Sequence, residues 1–256
     1  NLWSQDEKGN WRIDPEKDAL RMANHTRVYH TKPSFNTILE AVTKQFHSGE
    51  GAIQFAPEAI ARSNADILDK DHLKSEFIEI YTEQGKEEAK KWINLNYGPF
   101  SEEELNHRLT RYGLNPCGEI LGNDFHCNLA EVHLNQINPE NFNEQRKAFK
   151  AAALSVACLL NHEFEVERYR KSREFDPIVG VSFTGLFDFF VHAFGTPWLK
   201  WWEKGRPDTE MGRDFKKREA EYLDSWRNTV RQTVWEYCDK HNLRRPNRCT
   251  TVQPAG

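Results

Sequence analysis

The chain has 256 residues, 38% of them hydrophobic and 29% charged, with a formal net charge of −4. That length allows one large α/β domain or two small ones with a sizeable core, and the charge gives no case for a nucleic-acid partner. Five cysteines without disulfide-framework spacing point to a reducing, cytoplasmic setting, and no apolar run is long enough to cross a membrane.

Residues 1–18 are polar and read as irregular, and 24–29 as a short strand. Lys32-Pro33-Ser34 then opens a helix. Ser34 is the N-cap, Phe35, Ile38, Leu39, Val42 and Phe46 share one face, and Gly49 ends it. Residues 67–96 form one or two charged amphipathic helices, with Leu73, Phe77, Ile80, Tyr81, Ala89 and Ile93 at the apolar positions. Ser101-Glu102-Glu103-Glu104 has the form of a capping box starting another short helix.

That helix delivers the chain into residues 112–132, YGLNPCGEILGNDFHCNLAEV. Pro116 forbids helix continuation and Gly118 permits unusual backbone angles, so Cys117 is expected at the tip of a tight loop. In an extended or turning backbone, positions two apart project to one side, and Asn115, Cys117 and Glu119 should converge on one target. A thiol, an amide and a carboxylate together suit removal of a hydrogen atom or proton from a hydroxylated carbon. A second cysteine, Cys127, follows inside the strand-like run 126–132.

Residues 142–161 read as a strong helix whose stretch AAALSVACLL is the buried portion, which makes Cys158 inert packing. A buried strand over 176–185 precedes a helix over 186–194. The glycines there match neither G-x-G-x-x-G nor a P-loop, which disfavours a phosphate loop. Trp198, Trp201 and Trp202 read as packing, against a rival reading as an aromatic platform for a base or cofactor. A long helix over 213–241 carries Tyr222, Trp226, Val230, Val234 and Tyr237 at helical spacing, with Cys238 structural near its end. Residues 247–256 form a strand running into a turn.

NPCGE followed by FHCNLAEVHLNQI resembles the finger loop and next barrel strand of ribonucleotide reductases, and within them the adenosylcobalamin-dependent class, closest to the monomeric triphosphate-reducing type. SGEGAIQFAPEAIARSN, VGVSFTGLFDFF and the closing Pro254-Ala255-Gly256 carry the same resemblance. It implies an α/β fold, part of a ten-stranded barrel threaded by the finger loop. Residues 1–256 would be one domain, with 1–22 a polar lead-in and 113–123 the finger loop. It implies that Cys117 carries the radical, Glu119 is the general base, Asn115 holds the ribose hydroxyls and Cys127 is one of two reducing thiols. It further implies substrate phosphate at the backbone of Pro254, Ala255 and Gly256, adenosylcobalamin as cofactor and no metal. The implied partners are a ribonucleotide, a deoxynucleotide effector and thioredoxin or a similar dithiol. The product, deoxyribonucleotide, serves DNA replication.

Family chains are much longer. The early barrel strands, with the cysteine that pairs with the Cys127 position, and the tail cysteines have no counterpart here, so the resemblance implies the middle and later part of a reductase: a split or truncated gene product, or a piece of a larger assembly in which a complementary chain supplies the rest of the barrel. Three further readings stay open: a non-catalytic or split barrel fragment that binds nucleotide or a partner, a class I large-subunit segment, and a zinc site from Cys117, Cys127, His126 and His133.

Overall fold

The computed structural model describes residues 3–13, 25–49 and 51–254, which divide into two compact units, Asn1–Asn123 and Asp124–Gly256. In the first unit β1 (Trp3–Gln5) and β2 (Trp11–Ile13) form an antiparallel hairpin where irregular chain is expected. The cause is Asp6, whose carboxylate accepts the N–H groups of Lys8 and Asn10 and the Arg12 guanidinium; these bonds, with Arg12 foremost, lower its pKa to about 2.

A parallel pair follows, β3 (Thr26–Tyr29) beside β4 (Ala52–Phe55), joined by helix α1 (Phe35–Ser48). Parallel neighbours need such a crossover. Ser34 caps α1 by accepting the Thr37 N–H at 3.2 Å, and Gly49 ends it at φ 73°. The apolar stripe of α1, however, faces outward: Phe35 is 78% exposed and Phe46 83%.

Four helices complete the first unit: α2 (Ala56–Ser63), α3 (Asp71–Glu83), α4 (Lys86–Tyr97) and α5 (Glu102–Arg108). The predicted apolar positions Phe77, Tyr81, Ala89 and Ile93 pack with Ile60, Leu68 and Leu109 into its core. Ser101 caps α5 by accepting the Glu104 N–H at 3.1 Å, as the capping box requires. The unit closes with a minimal antiparallel pair, β5 (Gly113–Leu114) and β6 (Leu121–Gly122).

The second unit is a three-stranded parallel sheet with strand order β7-β8-β9: β7 (Leu129–His133), β8 (Ile178–Thr184) and β9 (Arg248–Thr250). Its helices are α6 (Phe142–Cys158), α7 (Glu167–Phe175), α8 (Leu186–Phe194), α9 (Thr196–Glu203) and α10 (Glu210–Lys240). Strand β8 runs in the middle, buried from Ile178 to Ser182, which explains its apolar start, Ile178 to Val181. Gly180 keeps the strands close, because a Cβ there would stand 2.5 Å from Leu129 Cδ2. Helices α6 and α10 pack together through Phe149 stacked on Trp226, ring centroids 5.1 Å apart, and a Trp226 Nε1–H bond to the buried Gln145. Trp198 and Trp201 are buried in this core as packing, whereas Trp202 is half-exposed.

The described strands make small open sheets, one of three strands and three of two, and none closes into a barrel. One expectation needs correction here. The run AAALSVACLL is not uniformly buried: Ala153, Val156, Ala157 and Leu160 face the core, but Leu154 and Cys158 are exposed. A helix packed on one side puts every third or fourth residue inward, however apolar its neighbours. Among the described residues, no helix is long and apolar enough to cross a membrane.

Candidate active site

After α5 the chain turns through β5, a loop over 115–120, and β6. Gly113 lies so close to β6 that a Cβ there would stand 2.7 Å from the Gly122 carbonyl oxygen. Within the loop the Asn115 N–H donates to the Ile120 carbonyl at 3.2 Å, and the Gly118 N–H donates to the Asn115 carbonyl at 3.0 Å. Pro116 fits the turn because it fixes φ and has no N–H to satisfy, and Gly118 takes φ 80°.

The side chains reinforce this turn. Asn115 Oδ1 accepts the N–H groups of Glu119 and Ile120 at 3.1 and 3.0 Å, and its Nδ2 donates to Glu119 Oε1 at 2.7 Å. The expected convergence of Asn115 and Glu119 is therefore a direct bond, and the carboxylate is held by the amide that also ties the loop. Cys117 stands exposed at the tip between them. A thiol on a turn braced from both sides can meet a reactant without a large rearrangement.

Cys127 belongs to the second unit and is also exposed. Strand pairing starts only where the Asn128 carbonyl accepts the Gly180 N–H at 2.8 Å, so Cys127 lies in the approach to β7 and not within it. Its neighbour His126 is committed elsewhere: the ring packs on Phe164 with centroids 4.2 Å apart, and near Tyr169. Burial lowers the His126 pKa, helped by the nearby His162 and Arg173, which favours the neutral ring. No periodicity signal marks this aromatic cluster, because its members come from separate loops and a helix.

At the carboxyl ends of the parallel strands lies a cleft of about 550 Å³. Its walls include His133 at the end of β7, Thr184 and Gly185 after β8, and Gln253 beyond β9. Ligands of open parallel sheets bind at this end. Gly185, at φ 72°, turns the chain directly from β8 into α8, and a Cβ there would press on Asn135 at 3.1 Å. Asp188 in the first turn of α8 opposes an anion at that helix start. Buried Ser182 accepts the Gln253 N–H at 3.0 Å and so fixes the backbone just ahead of Pro254, which is exposed. Ala255 and Gly256, the other two residues expected to cradle phosphate, lie outside the described residues.

None of the five cysteines is joined in a disulfide. Burial raises Cys238 to about 11 and Cys249 to about 12, so neither forms the reactive thiolate near neutrality. At about pH 8 a maleimide should label Cys117, Cys127 and Cys158 and spare Cys238 and Cys249 until the chain unfolds. Peptide mass mapping reads the result, and early labelling of Cys249 would contradict its burial. Among the described residues, no group of three or more His, Cys, Asp or Glu side chains could hold a metal ion.

No family model matches the chain, and no solved structure matches it. Two curated proteins do. An adenosylcobalamin-dependent ribonucleoside-triphosphate reductase of Lactobacillus gasseri is 29% identical over 150 residues, and one of Lacticaseibacillus paracasei is 29% identical over 154 residues. In each case the match covers 56% of this chain and 20% of the relative, so the chain corresponds to about one fifth of the relatives' length. Over a little more than half its residues, this chain is similar to a stretch of the adenosylcobalamin-dependent ribonucleoside-triphosphate reductases.

Proposed function

We propose that the chain is a catalytic segment of an adenosylcobalamin-dependent ribonucleotide reductase that converts ribonucleoside triphosphates to 2′-deoxyribonucleotides. The observation that carries this reading is the Asn115–Glu119 bond bracing the Cys117 turn, in a chain similar to those enzymes. The β3–α1–β4 and β7–α6–β8 crossovers are compatible with parts of a ten-stranded barrel, with residues 113–123 as its finger loop.

When bound, adenosylcobalamin supplies an organic radical able to take a hydrogen atom from a thiol. The donor set fits that need, because Cys117 is an accessible thiol on a tied turn. Having lost its hydrogen, Cys117 removes the ribose 3′-hydrogen. Glu119 takes the 3′-hydroxyl proton, which favours departure of the 2′-hydroxyl as water. Asn115 orients Glu119 and the ribose hydroxyls. Cys127 and a second thiol, supplied from outside this chain, give two electrons and two hydrogens and become a disulfide. The 3′-hydrogen returns from Cys117, so one ribonucleotide and two thiols yield one deoxynucleotide, one disulfide and one water. Thioredoxin or a similar dithiol reduces the disulfide, and a deoxynucleotide effector and a complementary chain complete the partner set. Substrate phosphate rests on the backbone at Pro254, Ala255 and Gly256.

In a complex that supplies the remaining barrel segments, deoxynucleotide formation should require adenosylcobalamin and no metal-radical subunit. Full turnover with a di-iron protein and no cobalamin would reassign the chain to class I. The short span of the match favours a second reading, a nucleotide- or partner-binding fragment without turnover. Nucleotide binding by a complex in which Cys117→Ser changes no rate would select it.

A further inference from the structure

The hairpin that carries Cys117 is gripped from outside by a buried polar cluster. At the end of α2, Ser63 donates its hydroxyl to the Arg111 carbonyl at 2.8 Å. Next to it, Asn64 Nδ2 donates to the Arg108 carbonyl at 3.0 Å. The same Asn64 accepts, through Oδ1, from Nη1 of Arg108 at 3.0 Å and from Nη1 of Arg111 at 3.1 Å. Arg108 also forks onto the two oxygens of Asp66 at 3.2 and 2.9 Å and reaches Glu104 at 3.0 Å. Ser63, Asn64, Arg108 and Arg111 are each at most 1% exposed. The returning arm is tied as well, since Asn123 donates to the Thr110 hydroxyl at 3.0 Å.

Burying two guanidinium groups is a poor route to stability, because an apolar core of the same volume is often equal or better. What such a cluster gives is a single geometry. Ser63 and Asn64 hold main-chain carbonyls at 108 and 111, immediately before the hairpin begins at Gly113. They fix where the backbone runs, whichever side chains it carries. Hydrogen transfer needs reacting atoms within about 3–3.5 Å, and a misplacement of about 1 Å can lower a rate about 100-fold.

We propose that Asn64, Asp66 and Arg108 form a latch of positioning residues that sets the place of Cys117 by fixing the base of its hairpin to helix α2. The catalytic value of this latch rests on the reading of Cys117 given above; the mechanical claim does not. Burial pushes the Asp66 carboxyl up, but the Arg108 guanidinium outweighs that and leaves it below its ordinary value, as a charged partner in the latch requires.

Electron–electron spin distances measured on this chain test the latch. One label sits on Cys117 and one on Glu83→Cys at the exposed end of α3, with Cys127 and Cys158 replaced by serine. A control pair, Asp71→Cys with Glu83→Cys in a Cys117→Ser background, reports α3 alone. Asn64→Ala should at least double the width of the Cys117 distance distribution, and the isosteric Asp66→Asn should broaden it or shift its centre. The control pair should not change in either variant. If Asn64→Ala fails to fold, Asp66→Asn carries the test. An unchanged Cys117 distribution overturns the latch. Equal broadening of both pairs also overturns it, since the cluster would then be ordinary core. Either failure leaves the reductase reading standing, which falls on the activity of Cys117→Ser instead.

Discussion

Cys117→Ser should reduce deoxynucleotide formation to background and abolish exchange of hydrogen between residue 117 and cofactor, in a complex reconstituted with the remaining reductase segments that the proposed function calls for. Serine keeps the size of the side chain and the turn around it, because the loop is tied by the Asn115 carboxamide and not by the thiol. What changes is bond strength. A thiol gives up and regains a hydrogen atom reversibly, whereas a hydroxyl O–H bond is too strong for that exchange. Folding and nucleotide binding should survive in this variant. Exchange at the parent rate would mean that another residue carries the radical.

The second large effect separates Glu119 from Cys127, to which the proposed mechanism gives different steps. Glu119→Gln keeps the length and hydrogen-bonding reach of the side chain but removes the proposed base. Hydrogen abstraction by Cys117 should persist, while loss of the 2′-hydroxyl slows by roughly two to four orders of magnitude. Cys127→Ser should leave that step intact and remove the proposed reductant, so the dehydrated intermediate should decay to free base and damaged sugar. Quenched-flow product analysis distinguishes the two. Normal deoxynucleotide yield from Cys127→Ser sinks the reductant role, and base release from Glu119→Gln at the parent rate sinks the general-base role.

The parts of this fold that could be read from sequence are those set by local chemistry. Ser34 and Ser101 cap their helices, Gly49 ends one, and the buried strand read over 176–185 is the middle strand of its sheet. The braced turn at Cys117 is of the same kind, since Pro116, Gly118 and the Asn115–Glu119 spacing act within five residues. Contacts between distant segments were not legible. Helical periodicity gave α1 an apolar stripe at Phe35, Leu39, Val42 and Phe46 but could not say that this stripe stays exposed. Cys158 has the same origin: an apolar run does not reveal which of its residues the neighbouring helix covers. The Ser63 and Asn64 bonds span 48 and 44 positions, and nothing in the wording of either segment announces the other. Cys127 reads as part of a strand because apolar and β-branched residues follow it, yet pairing begins one residue later, at Asn128.

The most direct test is electron paramagnetic resonance on the freeze-quenched complex, with this chain carrying cysteine deuterated at Cβ. Radical chemistry at Cys117 predicts a signal, formed on mixing with adenosylcobalamin and nucleotide, that narrows on deuteration. The signal should vanish in Cys117→Ser and persist in Cys127→Ser. A radical signal indifferent to deuteration and unchanged in Cys117→Ser would contradict the assignment of this chain as the bearer of the radical cysteine.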